Sequence, residues 1–347
     1  MIWSSIDTLH KNLDLIDNHL SNALINEKLI KNAAEGGNID AISLGSNYTA
    51  EKRFRNKAVF ISLYGAFEQF IEALLSDYIE HLQTYIPNFS ELPKRVRNEY
   101  VEKWKKFHGK LKYPQYKDIT EREIVENLHE VVCNDKNKIM PNCYKRNGGN
   151  YKYKVIRGTF YGIGIELDNV KRYFVYPIGD DITRFEAIQD SVDDLVERRN
   201  NIAHTATDDG TLLDIEGMKR YVNVIRVFSK TLFDYVQDVL LNLIWERKEA
   251  QSLVLKANRA LPKPHVLYFE NVKGAWIKSG QLVVVRLSDG NFPQFRQTLV
   301  DGISYSVNAG DEAVFVSQLD ETRTYHDISL HFAADDVIRR NVQVLFL

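Results

Sequence analysis

Apolar side chains recur at three- and four-residue steps over four long segments, which is the spacing of an amphipathic helix. The predicted helices cover residues 4–33, 51–84, 184–205 and 214–250. The second helix is the most apolar, with a wide stripe made of Phe60, Leu63, Tyr64, Phe67, Phe70, Ile71, Leu74 and Tyr78. A stripe of this width must be buried. The pattern therefore predicts a four-helix bundle with a long connection between its second and third members.

The connection, residues 88–182, has a looser pattern and is interpreted as an α/β insertion. Short helices are predicted over 94–107 and 120–133, and a hairpin or irregular strands between residues 154 and 176. Gly162-Ile163-Gly164 lacks the third glycine of a dinucleotide loop, so we interpret it as close packing of a strand. The next helix has two candidate starts, Thr183 with Glu186 and Ser191 with Asp194.

The run Leu261-Pro262-Lys263-Pro264 marks the clearest boundary in the chain. Beyond it, strands are predicted near residues 281–287, 303–307, 313–317 and 342–347, with turns at Asp289-Gly290 and Asp301-Gly302. The expected fold is mainly α, with a helical domain over residues 1–260 and a small all-β domain over residues 265–347.

Composition limits where the chain works and what it binds. The formal net charge is −2, so any nucleic-acid binding must come from a local patch. Cys133 and Cys143 lack a second cysteine pair with which to form a zinc site, and they fit reduced thiols in the cytosol better than the alternative of a structural disulfide. The first residues do not resemble a signal peptide, and no uncharged apolar run is long enough to span a bilayer. We expect a cytoplasmic protein that does not bind a membrane.

The candidate catalytic residues lie late in the third long helix, in the run Arg199-Asn200-Asn201-Ile202-Ala203-His204. It gathers a permanent cation, an amide and a titratable imidazole within about a turn and a half of helix. Histidine can transfer a proton near neutral pH, and arginine can stabilise charge developing on phosphorus. By spacing alone, the same residues also fit the capping of a helix C-terminus, where histidine meets the negative end of the dipole.

This run resembles the signature of the HEPN superfamily: arginine, a polar residue, three to five further residues, and histidine. The run Leu63-Tyr64-Gly65-Ala66-Phe67-Glu68-Gln69-Phe70-Ile71 is similar to the first core helix of bacterial members from toxin–antitoxin and defence loci. The resemblance covers residues 51–84 and 184–250. It implies a HEPN-like helical bundle and a metal-independent endoribonuclease that needs no cofactor.

The resemblance also implies residue roles and a composite site across a homodimer. His204 would transfer a proton, Arg199 would stabilise the scissile phosphate, and Asn200 would orient one of them or donate to phosphate. Glu68 is a candidate contact of Arg198 or Arg199, with a partly exposed helix carboxylate as the alternative. Related toxins silenced by nucleotidyl transfer carry tyrosine two positions after the histidine, where this chain has Ala206.

The segment around residues 144–154 mixes cations with tyrosines and is the main candidate for RNA binding outside the motif. Its candidate residues are Lys145, Arg146, Tyr151, Lys152, Tyr153 and Lys154. A solvated charge run is the alternative, and Lys103-Trp104-Lys105-Lys106 has a weaker claim of the same kind. The expected partners are RNA, a second copy of the chain, and an antitoxin or defence-system protein. The competing function is a non-catalytic HEPN protein that binds a nucleotide or RNA, or a scaffold in which Arg199 and His204 only hold the dimer together.

Overall fold

A computed structural model of the chain describes residues 3–46, 48–146, 150–174, 184–205, 212–248, 254–256, 259–260, 266–273, 277–279, 281–286, 295–306, 314–319, 324–332 and 343–346. The α-helices within these ranges are α1 (Ser4–Glu35), α2 (Ile39–Ser46), α3 (Tyr48–Tyr85), α4 (Lys94–His108), α5 (Glu121–Val132), α6 (Tyr153–Gly162), α7 (Phe185–Thr205) and α8 (Ile215–Lys248). Short 3₁₀ helices cover Phe89–Glu91, Pro114–Tyr116, Pro141–Cys143 and Leu167–Tyr173.

The four longest helices, α1, α3, α7 and α8, are those that the apolar periodicity predicts. α3 packs against both α1 and α7, and an ion pair of 2.8 Å joins Arg226 of α8 to Asp14 of α1. α1 ends at the predicted glycines because Gly37 adopts a φ of 81°, which favours glycine. The prediction of a mainly helical fold with four long helices is confirmed.

The α3 helix is long and apolar enough to cross a membrane by length and composition, with a mean hydropathy of 1.4 over its most apolar window. Half of that window is buried inside the protein. Phe67, Phe70 and Leu74 are almost completely enclosed. These properties are those of the central core helix of a bundle.

Residues 154–173 form α6, a short loop and the 3₁₀ helix Leu167–Tyr173, without a strand. The hairpin or irregular strands expected between residues 154 and 176 are therefore wrong for residues 154–173. Residues 175 and 176 lie outside the described residues. Ile156, Thr159 and Phe160 are buried at helical spacing in α6. Gly164 follows α6 with a φ of 90° and does not lie in a strand.

The structure tests one of the two predicted starts of α7. Ser191 lies inside α7, where its Oγ donates to the carbonyl of Ala187 at 2.8 Å, so the start at Ser191 is wrong. The other candidate, Thr183, lies outside the described residues. A capping box that the sequence analysis missed begins α5, with Thr120 and Glu123 exchanging hydrogen bonds.

The C-terminal strands form an antiparallel sheet in the order β1-β8-β4-β5-β7-β3-β2, and β6 pairs with β5. The strands are β1 (Val254–Lys256), β2 (Arg259–Ala260), β3 (Val266–Lys273), β4 (Leu282–Arg286), β5 (Phe295–Ser306), β6 (Val314–Val316), β7 (Thr324–Phe332) and β8 (Gln343–Phe346). Strands coincide with each of the four predicted segments, whereas β1, β2, β3 and β7 were not predicted, and β1 and β2 lie within the residues assigned to the helical domain. The expected turn at Asp301-Gly302 is wrong, because both residues lie in β5, where the pairing register shifts between Val300 and Gly302.

The chain divides into two compact units, Ile2–Phe233 and Asp234–Leu347, the latter together with Met1, and the division falls within α8. The proposed linker at residues 261–264 and the turn at Asp289-Gly290 lie outside the described residues. Cys133 and Cys143 are free thiols, as expected. Burial raises the pKa of Cys143 to about 12.

Candidate active site

The final turns of α7 carry the three motif residues. Asn200 and His204 are four residues apart within one helix, so the two positions share a face. The side chain of His204 lies outside the described residues, and so does Ala206. The backbone therefore places all three motif positions on one helix, with Arg199 and Asn200 described in full.

Arg199 is held by an aromatic ring and by its neighbour in the chain. Its guanidinium carbon lies 5.0 Å from the centre of the Tyr64 ring, a cation–π arrangement. Its Nη1 donates to Oδ1 of Asn200 at 3.1 Å. This hydrogen bond joins the two motif side chains within α7.

The α3 helix presents Tyr64, Glu68 and Glu72 towards this region at four-residue spacing, which places them on one face. The Tyr64 hydroxyl accepts a hydrogen bond from the backbone N–H of Tyr151 at 3.2 Å. The Tyr151 hydroxyl donates to Oε1 of Glu72 at 3.1 Å and accepts from the backbone N–H of Arg146 at 3.2 Å. These bonds tie the segment before α6 to the helix that supports Arg199.

Glu68 lies in the electrostatic environment of Arg199 without forming an ion pair to any described residue. Its Oε1 atom is buried and has no hydrogen-bond partner among the described residues. Burial is the main cause that raises the pKa of Glu68, repulsion by Glu72 adds to it, and Arg199 opposes it. The candidate contact with Arg199 is therefore a through-space attraction.

Arg198 points to a different set of partners, although it precedes Arg199 directly. Its Nε lies 2.7 Å from Oδ2 of Asp194 and 3.2 Å from the Tyr221 hydroxyl, which itself bonds to Asp194. Its guanidinium also lies 5.6 Å from the ring centres of Phe60 and Tyr221. These contacts give Arg198 a structural role in packing α7 against α3 and α8, and they do not join it to Glu68.

The candidate RNA-binding segment separates into buried and accessible residues. Tyr151 is 0% exposed, which corrects the expectation that its ring stacks on a base. Tyr153 is half-buried, with its ring edge-on to Phe185 and Phe228, so it also packs inside the protein. The structure assigns both tyrosines to the support of the bundle.

The cations of the same segment lie nearer to solvent. Lys152 forms an ion pair of 2.7 Å with Glu197 of α7. Arg146 and Lys154 are exposed, and Lys145 is half-buried. Arg146, Lys145 and Lys154 therefore remain the candidates in this segment for contacts with RNA phosphates.

Sequence reasoning did not identify Tyr64 and Glu72 as site residues. The apolar stripe of α3 includes Tyr64, which is correct for its buried ring but does not account for its hydroxyl or its contact with Arg199. The signal in the sequence is the four-residue spacing of Tyr64, Glu68 and Glu72, because the two glutamates are the only charged residues between positions 58 and 76.

A helical bundle with the Arg-Asn-x₃-His run near the end of a late helix is the arrangement of a HEPN domain. A family model described as RiboL-PSP-HEPN matches residues 12–238, more than half of the chain. The chain belongs to this family and hence to the HEPN superfamily. The match extends through residues 88–182, which the resemblance found in the sequence did not cover. No curated protein and no solved structure matches the chain.

Membership in this superfamily places the helical domain in the class of ribonucleases and nucleotide-binding proteins. At this coarse level, the expectation of nuclease or RNA-binding chemistry is confirmed.

Proposed function

We propose that this protein is a metal-independent endoribonuclease whose reaction depends on Arg199, Asn200 and His204. The observation that carries the proposal is the support of Arg199 by Tyr64 and Asn200. No described carboxylate lies within ion-pair distance of this guanidinium. Most of its N–H groups are thus left for phosphate oxygens, which planar guanidinium groups bind well.

The proposed reaction is attack of the RNA 2′-hydroxyl on the neighbouring phosphorus. A base removes the 2′-hydroxyl proton as the O2′–P bond forms, and an acid protonates O5′ as the P–O5′ bond breaks. The products are a 2′,3′-cyclic phosphate and a 5′-hydroxyl. His204 acts in one of these proton transfers, and Arg199 stabilises the charge that develops on the phosphoryl oxygens.

We further propose that two copies of the chain form the active unit. The mechanism needs both a base and an acid, and His204 of the partner subunit would supply the second group. Support comes from α3, where Phe54 is 75% and Ile61 is 50% exposed. At about 100° and 1.5 Å per residue, Ile61 lies roughly 60° around α3 and about 4.5 Å along it from Tyr64, so it borders the site. Phe54 extends the same face by about 10 Å towards the start of the helix. An exposed apolar patch of this kind is typical of a protein interface.

We propose a toxin or defence effector as the biological role, acting in the cytoplasm, which its free thiols fit. A ribonuclease without restraint would damage its own cell. The proposal therefore includes an antitoxin or defence-system protein that holds the activity in check.

The test is cleavage of a labelled single-stranded RNA by the purified chain in excess EDTA. We expect cleavage to a cyclic phosphate, and none where the scissile nucleotide is 2′-deoxy. His204→Ala should lose on the order of 10²–10⁴-fold in rate. Arg199→Ala should lose both rate and RNA affinity, and Arg199→Lys should restore only part of them. His129→Ala, an exposed histidine of α5, is the matched control.

Equal cleavage per folded molecule in the wild type and His204→Ala would contradict the catalytic role. Tight nucleotide or RNA binding without cleavage by the wild type would favour the non-catalytic HEPN function. Light scattering tests the dimer separately: a monomer at micromolar concentration would contradict the composite site.

A further inference from the structure

Positive charge is concentrated in one segment that the proposed reaction does not use. Residues 94–117 contain nine lysines and arginines against two glutamates, a net charge of +7. The whole chain has a net charge of −2, so all other residues together carry −9. Such an asymmetry within an almost neutral chain is the electrostatic footprint of polyanion binding.

The fold turns most of this charge outward. Val96, Tyr100 and Phe107 form the buried face of α4, and Tyr116 anchors the following 3₁₀ helix in the core. The lysines and arginines therefore lie on the remaining faces of α4 and in the loop after it. α4 is about 22 Å long at 1.5 Å per residue, long enough to follow several nucleotides.

Two of these cations are neutralised by acidic neighbours. Arg95 pairs with Glu166 at 2.7 Å, and Lys105 pairs with Glu102 at the same distance. Among the described residues, no carboxylate lies within 4 Å of the lysines at the centre and end of the segment. These are Lys103, Lys106, Lys110, Lys112 and Lys117.

Aromatic side chains lie among the unneutralised lysines. Trp104 and His108 stack with ring centres 5.5 Å apart and planes 19° apart. Tyr113 is 47% exposed, and Nζ of Lys112 lies 5.8 Å from its ring centre. Cations interleaved with accessible rings are the combination that binds single-stranded nucleic acid, because the rings stack on bases and the cations contact phosphates.

A continuous series of contacts joins this surface to Arg199. Nζ of Lys103 lies 5.8 Å from the ring centre of Tyr144, and Lys145 and Arg146 follow Tyr144 in the chain. The Arg146 backbone bonds to Tyr151, and the backbone N–H of Tyr151 bonds to the Tyr64 hydroxyl. Because Arg199 lies over the Tyr64 ring, the basic surface and the site belong to one connected part of the helical unit.

We infer that the surface formed by α4 and residues 109–117 is a binding site for single-stranded RNA, separate from the cleavage site. This surface holds the RNA strand that flanks the scissile phosphate, over a length of about four nucleotides or more. Lys145 and Arg146 lie between the two sites. The use of this surface in cleavage rests on the proposed ribonuclease function, whereas RNA binding to it does not.

The test uses the full chain with His204→Ala, so that RNA remains intact during binding. Fluorescence anisotropy measures the affinity for a 20-nucleotide single-stranded RNA as the salt concentration is varied. The test variant adds Lys106→Gln, Lys110→Gln and Lys112→Gln. The control variant instead adds three substitutions of exposed lysines in α1, namely Lys11→Gln, Lys28→Gln and Lys31→Gln.

If the three lysines of the surface each contact a phosphate, the slope of log K against log salt should fall by about 2 in magnitude. We expect affinity near 0.1 M salt to fall by at least tenfold in the test variant and by less than twofold in the control. In chains with His204 restored, KM should rise more for the long RNA than for a dinucleotide. Circular dichroism checks that each variant is folded.

Unchanged RNA affinity in the folded test variant, or an equal loss in the control, would overturn the inference. So would an acidic peptide that competes with RNA at equal molar affinity, because the surface would then bind acidic protein. If the protein with His204 binds RNA but does not cleave it, the ribonuclease function is contradicted. The affinity of the lysine variants for RNA still tests the binding surface in that case.

Discussion

Two substitutions can separate the contact of the Tyr64 ring with Arg199 from the contact of the Tyr64 hydroxyl with Tyr151. The Tyr64 ring lies under the Arg199 guanidinium, and its hydroxyl accepts the backbone N–H of Tyr151. Tyr64→Phe keeps the ring and removes the acceptor. Tyr64→Leu removes both. Burial raises the pKa of Tyr64, so the hydroxyl is neutral at physiological pH in the wild type.

The expected magnitudes follow from these contacts. Tyr64→Phe leaves the N–H of the buried Tyr151 without its acceptor, which costs about 1–3 kcal/mol of stability. Each kcal/mol lowers the melting temperature of a unit of this size by about 2–4 °C. Tyr64→Leu also loses the cation–π contact, worth about 0.5–2 kcal/mol. If that contact positions Arg199 in the transition state, cleavage should fall by roughly 2- to 30-fold.

Stability is measured by denaturant unfolding and activity by single-turnover cleavage per folded molecule. Tyr85→Phe is the control on the same helix, because the Tyr85 hydroxyl makes no hydrogen bond to another described residue. Tyr64→Phe should be less stable than this control but should cleave at nearly the wild-type rate. Equal stability of Tyr64→Phe and wild type would refute the hydrogen-bond argument. Equal cleavage losses in Tyr64→Phe and Tyr64→Leu would refute the role of the ring.

Three further substitutions test other contacts. Because the folded-state pKa of Glu68 is raised, its ionisation destabilises the protein as pH rises above the ordinary value of 4.5. In urea unfolding, Glu68→Gln should therefore be more stable than the wild type at pH 7, and the two proteins should be equally stable at pH 4. Gly164→Ala should cost at least about 1–2 kcal/mol in the same assay, because its φ is 90° and a Cβ would lie 3.0 Å from Val96; a smaller loss would show that the loop relaxes. Arg198→Ala should lower the melting temperature without lowering cleavage per folded molecule, and a loss as large as that of Arg199→Ala would contradict its structural role.

The sequence was sufficient for the long helices and for the position of the motif. Burial of one face of α1, α3, α7 and α8 imposes the 3.6-residue period, which local sequence displays directly. The period of α6 was also present at Ile156, Thr159 and Phe160. The β-branched and aromatic residues of that short segment nevertheless favoured strands, and its helical state depends on packing. The prediction of a turn at Asp301-Gly302 was wrong for a similar reason, because the pairing of β5 with β7 accommodates both residues at a register shift.

Neighbouring residues of the candidate site show what sequence alone could not decide. Arg198 and Arg199 have the same chemistry, but their side chains leave α7 about 100° apart. Only the rotation of α7 against α3 and α8 turns Arg198 towards Asp194 and Tyr221, and Arg199 towards Tyr64. The sequence determined that this helix end carries cations, an amide and an imidazole. Tertiary packing decided which cation is committed to the bundle and which has N–H groups left for a phosphate.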